Sequence, residues 1–99
     1  MKKYQKEIDN WFKKNNWQYW QPLSIMVRLM EECGELARLV NHQFGEKKKK
    51  QSEKEQDLED EIGDIIYTLI CLANSNKLDL DRAIKKSLNK VIKRDRNRF

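Results

Sequence analysis

Apolar residues recur three and four positions apart in four segments of this chain, which is the spacing of an amphipathic α-helix. The pattern predicts helices over about residues 3–15, 22–44 and 53–74, and a fourth helix that Asp79 caps at its N-terminus. Gly45 suits the end of the second helix. We therefore expect four helices joined by polar connections.

Each of the last three predicted helices carries one apolar stripe. The stripe residues are Ile25, Leu29, Cys33, Leu36, Val40 and Phe44 in the second helix, Leu58, Ile62, Ile65, Leu69 and Leu72 in the third, and Leu80, Ala83, Ile84, Leu88, Val91 and Ile92 in the fourth. Residues 65–73 are apolar on nearly every side. We expect a second copy of the chain to cover the additional side of the third helix.

Composition narrows the fold class to all-α. The chain has 99 residues with three Gly and one Pro, too few turn formers for a β-sandwich, and it lacks the Gly-x-Gly turn of a dinucleotide-binding fold. A chain of this length forms one domain, here residues 1–99, and buries only about 60–65% of its unfolded surface. We expect an antiparallel bundle of four to five helices whose core is completed by homo-oligomerisation, as a homodimer or homotetramer.

Charge and cysteine content indicate the compartment and the class of partner. A formal net charge of +5 permits an anionic ligand, but basic and acidic residues are mixed along most helices, so we expect no nucleic-acid partner. No apolar run approaches the roughly 20 residues of a membrane span, and the N-terminus lacks the apolar core of a signal peptide. We expect a cytoplasmic protein without a membrane partner, in which Cys33 and Cys71 are buried free thiols.

Acidic residues interrupt the apolar pattern of the second and third helices. Glu32 falls at the margin of its stripe, and Glu35 follows three positions later on the same side. Glu61 and Asp64 repeat this arrangement in the third helix. Single pairs of this kind are common on solvated faces, but two pairs beside a core predict a shared site if the helices pack antiparallel. Divalent cations with oxygen ligands would compensate such a cluster, and Mg²⁺ suits a site that also takes phosphates.

These acidic residues form two motifs that carry a resemblance to a known family. The first motif is E-E-x-x-E, from Glu31 to Glu35, and the second is E-x-x-D, from Glu61 to Asp64, after 25 intervening residues. The flanking segments read YWQPL, ELARLVNH and EIGDIIYTLICLAN. Over about residues 17–94, the chain resembles the MazG-like all-α nucleotide pyrophosphohydrolase family.

The resemblance implies an enzyme that cleaves nucleoside triphosphates between the α and β phosphates with Mg²⁺, for which Mn²⁺ can substitute. The products would be a nucleoside monophosphate and pyrophosphate, and the role would be nucleotide-pool housekeeping. The metal ligands that it implies are Glu32, Glu35, Glu61 and Asp64. Glu31 would be an outer carboxylate that either helps a second metal ion or accepts a proton from the attacking water.

The resemblance also implies substrate contacts outside the acidic motifs. Lys90 and Arg94 match a K-x-x-x-R spacing in the last helix and could reach phosphate oxygens, although a solvated basic helix end gives the same pattern. Trp20 and His42 flank the second helix and would line the base pocket, Trp20 by stacking on the base. The alternative role of His42 is that of a polar helix end.

A different class of function stays open at this point. The chain could be a non-enzymatic helical interaction module that forms oligomers, or a weak nucleic-acid binder. Neither function explains why two helices carry carboxylates at the margin of their apolar stripes.

Overall fold

The computed structural model describes residues 1–45 and 57–98, and α-helices account for most of them. The helices are α1 (Lys2–Lys14), α2 (Pro22–Phe44), α3 (Leu58–Ser75) and α4 (Leu80–Arg98). No β-strand occurs in these two ranges, so the predicted all-α class is confirmed. None of the helices described is long and apolar enough to span a membrane.

Helix α3 begins later than its apolar pattern predicts. Asp57 lies outside the helix, and its Oδ1 accepts a hydrogen bond from the backbone N–H of Asp60 at 2.7 Å. An aspartate in this position satisfies one of the free N–H groups of a first helical turn. The prediction of a helix from residue 53 is therefore wrong at Asp57, and residues 53–56 lie outside the described part of the chain.

Helix α4 begins where the sequence predicts. Asp79 Oδ1 accepts hydrogen bonds from the backbone N–H groups of Asp81 at 2.9 Å and Arg82 at 3.3 Å, so the predicted cap is confirmed. The turn between α3 and α4 places Lys77 at a φ of 56°, in the left-handed region that non-glycine residues seldom adopt.

The chain divides into two compact units. The terminal unit contains Met1–Tyr19 and Ile70–Phe99, and the central unit contains Trp20–Leu69. Helix α3 contributes its N-terminal part to the central unit and its C-terminal part to the terminal unit. The single domain over residues 1–99 stays a prediction.

A buried glutamine joins α1 to the α3–α4 turn in the terminal unit. Gln5 Nε2 donates to Asn74 Oδ1 at 3.0 Å and to the Leu78 carbonyl at 2.8 Å, and Gln5 Oε1 accepts from the Leu80 N–H at 3.0 Å. Asn74 Nδ2 donates to the Gln5 carbonyl and to the Tyr19 hydroxyl, both at 2.9 Å. Satisfied polar groups therefore take buried positions in this unit that an apolar core would otherwise fill.

Most of the apolar stripe predicted for α4 is exposed in the single chain. Ile84 and Leu88 expose 63% and 55% of their surfaces, and Val91 and Ile92 are also exposed. The prediction that this stripe packs inward is wrong for the single chain except at Leu80, which is half-buried in the first turn of α4 and whose N–H donates to Gln5. Among the described residues, the buried hydrophobic side chains are Ile25, Ile70 and Ala73.

Candidate metal centre

The buried face of α2 is rotated from its predicted stripe. The side chains that lie buried or half-buried at heptad-like spacing are Ile25, Leu29, Glu32, Leu36 and Leu39. Cys33, Val40 and Phe44 are exposed instead. Glu32, only 4% exposed, therefore lies in the middle of the buried face and not at its margin. Cys33 and Cys71 form no disulfide, as predicted, but Cys33 is exposed because of this rotation and Cys71 is half-buried, so their predicted burial is wrong.

The buried face of α3 shows the same rotation. Its buried or half-buried residues at this spacing are Leu58, Glu61, Ile65, Thr68 and Leu72. Ile62 and Leu69, which the sequence places in the stripe, are exposed. Glu61 is 1% exposed and takes the position that an apolar residue would fill in an ordinary helix pair. Each of the two helices thus presents a carboxylate from the centre of its buried face.

These carboxylates meet within the central unit. One carboxylate oxygen from each of Glu32, Glu61 and Asp64 lies within 4.8 Å of the others. Glu35 lies close enough to Glu61 to share a hydrogen bond with it when one of the two is protonated. The structure therefore brings together the four residues that the sequence singles out. Asp64 is exposed, so the cluster is open to solvent on one side.

Burial and mutual repulsion act strongly on Glu61. Together they raise the pKa of the Glu61 carboxyl from 4.5 to about 7. Burial is the largest cause, because water no longer solvates the charge. The neighbouring charges of Glu35 and Glu32 come next, and the charge of Asp64 contributes less. Without a bound cation, an ionised Glu61 is therefore an unfavourable component of the folded protein.

The oxygen atoms of the cluster have few donors among the described residues. Glu32 Oε1 pairs with the Nε of Arg28 at 3.0 Å. Glu32 Oε2 and both carboxylate oxygens of Glu61 are buried, and no nitrogen or hydroxyl group of residues 1–45 or 57–98 donates a hydrogen bond to them. Three buried acceptor atoms without donors are an expected property of carboxylates that ligate a cation, and an all-oxygen set fits Mg²⁺ or Mn²⁺.

The other predicted site residues do not belong to the group within 4.8 Å. Glu31 is exposed on α2. In the same unit, Trp20 is 62% exposed and His42 is half-buried near the C-terminal end of α2. Lys90 and Arg94 are exposed on α4, in the terminal unit. The functional roles implied for these five residues stay predictions.

Arg28 and Thr68 adjoin residues of the cluster, and of these two the sequence did not single out Arg28. Arg28 lies four positions before Glu32, and an i, i+4 pair of opposite charge was the available signal. Thr68 is 6% exposed, and its hydroxyl donates to the backbone carbonyl of Asp64 at 2.9 Å, one turn earlier in α3. This hydroxyl is thereby satisfied within the helix.

A comparison with protein families gives the same result as the two motifs. A sequence profile of the MazG nucleotide pyrophosphohydrolase domain matches residues 20–99. This chain belongs to the MazG family. The match includes both acidic motifs, and it confirms the prediction of an enzyme, a nucleotide pyrophosphohydrolase. The alternative of a non-enzymatic helical module is not retained.

The similarity to individual proteins extends over nearly the whole chain. The protein YpjD of Bacillus subtilis (strain 168) is 44% identical over 99 residues, which cover 100% of this chain and 89% of YpjD. YvdC of the same organism is 33% identical over 96 residues, with 91% of each protein covered.

Solved structures show the same similarity. YPJD from Bacillus subtilis, a proposed pyrophosphatase, has a crystal structure similar to that of this chain, with a TM-score of 0.82. The two sequences are 44% identical, and the similarity covers 92% of this chain and 91% of YPJD. The Bacillus-conserved MazG protein, a nucleotide pyrophosphohydrolase, is 42% identical with a TM-score of 0.76. The similarity covers 91% of this chain and 86% of that protein.

Proposed function

We propose that this MazG-type chain hydrolyses nucleoside triphosphates between the α and β phosphates, with Mg²⁺ as its cofactor, and releases a nucleoside monophosphate and pyrophosphate. The observation that supports this proposal is the carboxylate of Glu61, which is 1% exposed and lies with the oxygens of Glu32 and Asp64 in one group within 4.8 Å. Like charges in this arrangement favour a divalent cation between them.

The proposed mechanism assigns a role to each carboxylate of the two acidic motifs. Glu32, Glu61 and Asp64 would hold the cation, and Glu35 would complete the set next to Glu61. The cation, when bound, neutralises charge on the polyphosphate and acidifies a water molecule. Glu31 precedes Glu32 on α2 and is exposed, and we assign to it the proton that the attacking water loses.

Four further residues are proposed to bind the nucleotide. Lys90 and Arg94 are exposed on α4, where Arg94 Nε lies 3.5 Å from Oδ1 of Asp95, and we assign both side chains to phosphate oxygens of the nucleotide. Trp20 exposes 62% of its surface, which leaves its indole ring accessible for stacking on a base. His42 is the proposed polar contact to the base. The biological role that this activity supports is housekeeping of the nucleotide pool.

We also propose that the working form is a homodimer or homotetramer. Large apolar side chains are exposed on the described parts of several helices, among them Leu23 at 78% and Met30 at 70% on α2, and Ile84 at 63% on α4. Ile62 and Ile66 on α3 are exposed as well, and large exposed apolar side chains in such number are typical of subunit contacts. Light scattering at low micromolar concentration should give at least twice the mass of 12.0 kDa, and a monomer mass would contradict the proposal.

The enzymatic proposal is tested by product analysis. The purified chain is incubated with each nucleoside triphosphate and Mg²⁺, and the products are separated by ion-exchange chromatography. We expect monophosphate and pyrophosphate in equal amounts, and no diphosphate. Orthophosphate together with diphosphate would show cleavage between the β and γ phosphates and would contradict the proposal.

A matched pair of variants tests the site. Glu61→Gln removes a buried charge from the cluster, whereas Glu59→Gln makes the same chemical change at an exposed position two residues earlier in α3. We expect Glu61→Gln to abolish turnover and Glu59→Gln to keep it near the wild-type rate. Equal activities of the two variants would refute the proposed site.

A further inference from the structure

Arg28 places a positive charge at the edge of the acidic cluster. Its Nε lies 3.0 Å from Oε1 of Glu32, one turn further along α2. The side chain of Arg28 is 53% exposed, whereas that of Glu32 is only 6% exposed. The guanidinium group therefore reaches from solvent to one oxygen of a buried carboxylate.

The two oxygens of Glu32 are consequently in different situations. Oε1 is occupied by the ion pair, whereas Oε2 is buried and receives no hydrogen bond from any residue that the structure describes. Glu32 also supplies an oxygen to the group within 4.8 Å that Glu61 and Asp64 complete. A carboxylate that is fixed through one oxygen has a defined rotation, and its second oxygen then points in a defined direction.

We propose that Arg28 is a positioning residue, which fixes the carboxylate of Glu32 so that the second oxygen is directed to the divalent cation. This inference rests on the proposed function, since it assumes that the cluster binds a cation. Groups that orient a metal ligand without touching the metal commonly contribute about 10- to 100-fold to metal affinity.

A contribution to the stability of α2 explains the Arg28–Glu32 ion pair less well than the positioning role does. On a helix, a pair in which the acid precedes the base is more favourable than the reverse order, and Arg28–Glu32 has the reverse order. The pair between Asp9 and Lys13 on α1 has the same spacing and the same 3.0 Å distance, with the favourable order. It therefore offers a matched control for the effect of losing an i, i+4 ion pair as such.

The test measures the binding of Mn²⁺ alone to the full-length chain, by isothermal titration calorimetry and by the rise in melting temperature. The variants are Arg28→Gln, Arg28→Lys and the control Lys13→Gln. We expect Arg28→Gln to weaken Mn²⁺ binding by about 10-fold or more. Arg28→Lys should fall between this variant and the wild type, because an ammonium group keeps the charge but loses the planar contact. Lys13→Gln should bind Mn²⁺ as the wild type does.

A kinetic readout separates positioning from direct substrate contact. If Arg28 acts through Glu32, Arg28→Gln raises the Mn²⁺ concentration needed for half-maximal activity, while the KM for nucleotide at saturating Mn²⁺ stays near the wild-type value. A raised nucleotide KM with unchanged Mn²⁺ affinity would overturn the inference, because Arg28 would then contact the substrate.

The outcomes also separate this inference from the proposed function. Failure of the wild-type chain to bind Mn²⁺ would overturn both. If Arg28→Gln binds Mn²⁺ with the same affinity as the wild type, the role proposed for Arg28 is wrong, but the proposed metal site is unaffected. If Arg28→Gln does not fold, as judged by circular dichroism, Arg28→Lys decides: a several-fold loss of affinity supports the inference, and wild-type affinity overturns it.

Discussion

Replacing Glu61 by Gln should stabilise the metal-free protein at alkaline pH while it removes metal binding and activity. The folded protein raises the pKa of Glu61 from 4.5 to about 7, mainly through burial. Below pH 4.5 the carboxyl is protonated in both the folded and the unfolded chain, so its burial does not lower the free energy of unfolding through desolvation of a charge. Between pH 4.5 and about 7 the unfolded chain loses this proton first, and the stability of the folded protein falls as the pH rises.

The size of this effect follows from the difference between the folded and unfolded pKa of Glu61. A tenfold change in a proton-binding constant corresponds to about 1.4 kcal/mol, so the rise from 4.5 to about 7 amounts to roughly 3 kcal/mol of lost stability above pH 7. A glutamine has a similar shape and no charge to desolvate. Its amide can also donate to a neighbouring carboxylate such as Glu35 or Glu32. For a chain of this length, roughly 3 kcal/mol corresponds to a rise in melting temperature of about 12–24 °C.

The assay is thermal unfolding of wild type and Glu61→Gln in chelator at pH 4.5 and pH 8. We expect similar melting temperatures at pH 4.5 and a much higher value for the variant at pH 8. Addition of Mg²⁺ at pH 8 should raise the melting temperature of the wild type and leave that of the variant nearly unchanged, since a cation bound to the folded state stabilises it.

Glu59→Gln is the control for charge removal in the first turn of α3. A negative charge near a helix N-terminus is favourable, so this exposed substitution should lower stability slightly, by about 0.3–1 kcal/mol. A Glu61→Gln protein that is no more stable than the wild type at pH 8 in chelator would refute the claim that the cluster is electrostatically unfavourable without a cation.

Three further substitutions test the fold. Gln5→Ala should lower the free energy of unfolding by about 2–4 kcal/mol in urea denaturation, because part-buried partners such as the Leu80 N–H lose their acceptor, whereas the exposed Gln18→Ala should have little effect. Lys77→Gly should raise stability by about 0.5–1 kcal/mol, because glycine adopts the φ of 56° without strain, and an unchanged melting temperature would contradict this. Gly63→Ala should add up to about 1 kcal/mol through helix propensity, since no heavy atom of the described residues, apart from its chain neighbours and the surrounding α3 backbone, lies within 4 Å of the new Cβ. A loss of stability would instead indicate a close contact with a second copy.

Periodicity and caps predicted most of the fold. The range of α2 and the Asp79 cap of α4 are as the sequence predicts, because turn-forming residues and apolar spacing act locally. Gln5 could not be identified in this way. Its burial depends on partners at Asn74, Leu78 and Leu80, which are distant in sequence, and a single side chain gives no periodic signal for them.

Hydrophobic periodicity also failed to predict the rotation of the buried faces of α2 and α3. A helical wheel assigns apolar residues such as Cys33 and Ile62 to the core and carboxylates to its edge. In the structure, Glu32 and Glu61 occupy the centre of the buried faces, and those two apolar residues are exposed. The wheel fails here because it ranks residues by hydrophobicity alone, whereas this arrangement becomes favourable when a ligand compensates the buried charge.

The two motifs identified the acidic site better than hydrophobicity did. Acidic residues spaced three apart, at Glu32–Glu35 and Glu61–Asp64, predicted that four carboxylates converge, and the structure brings them together. The motifs did not indicate Arg28, because an arginine four positions before a glutamate is common on solvated helices. Its significance follows from the burial of Glu32, which is a property of the folded chain.

The most direct test of the central claim is a crystal of the protein soaked with Mn²⁺ near pH 7.5 and measured at the manganese absorption edge. We predict an anomalous difference peak at about 2.1–2.3 Å from carboxylate oxygens of Glu32, Glu61 and Asp64. At a saturating Mn²⁺ concentration, the absence of a peak between these residues, with their carboxylates turned away from one another, would contradict the account.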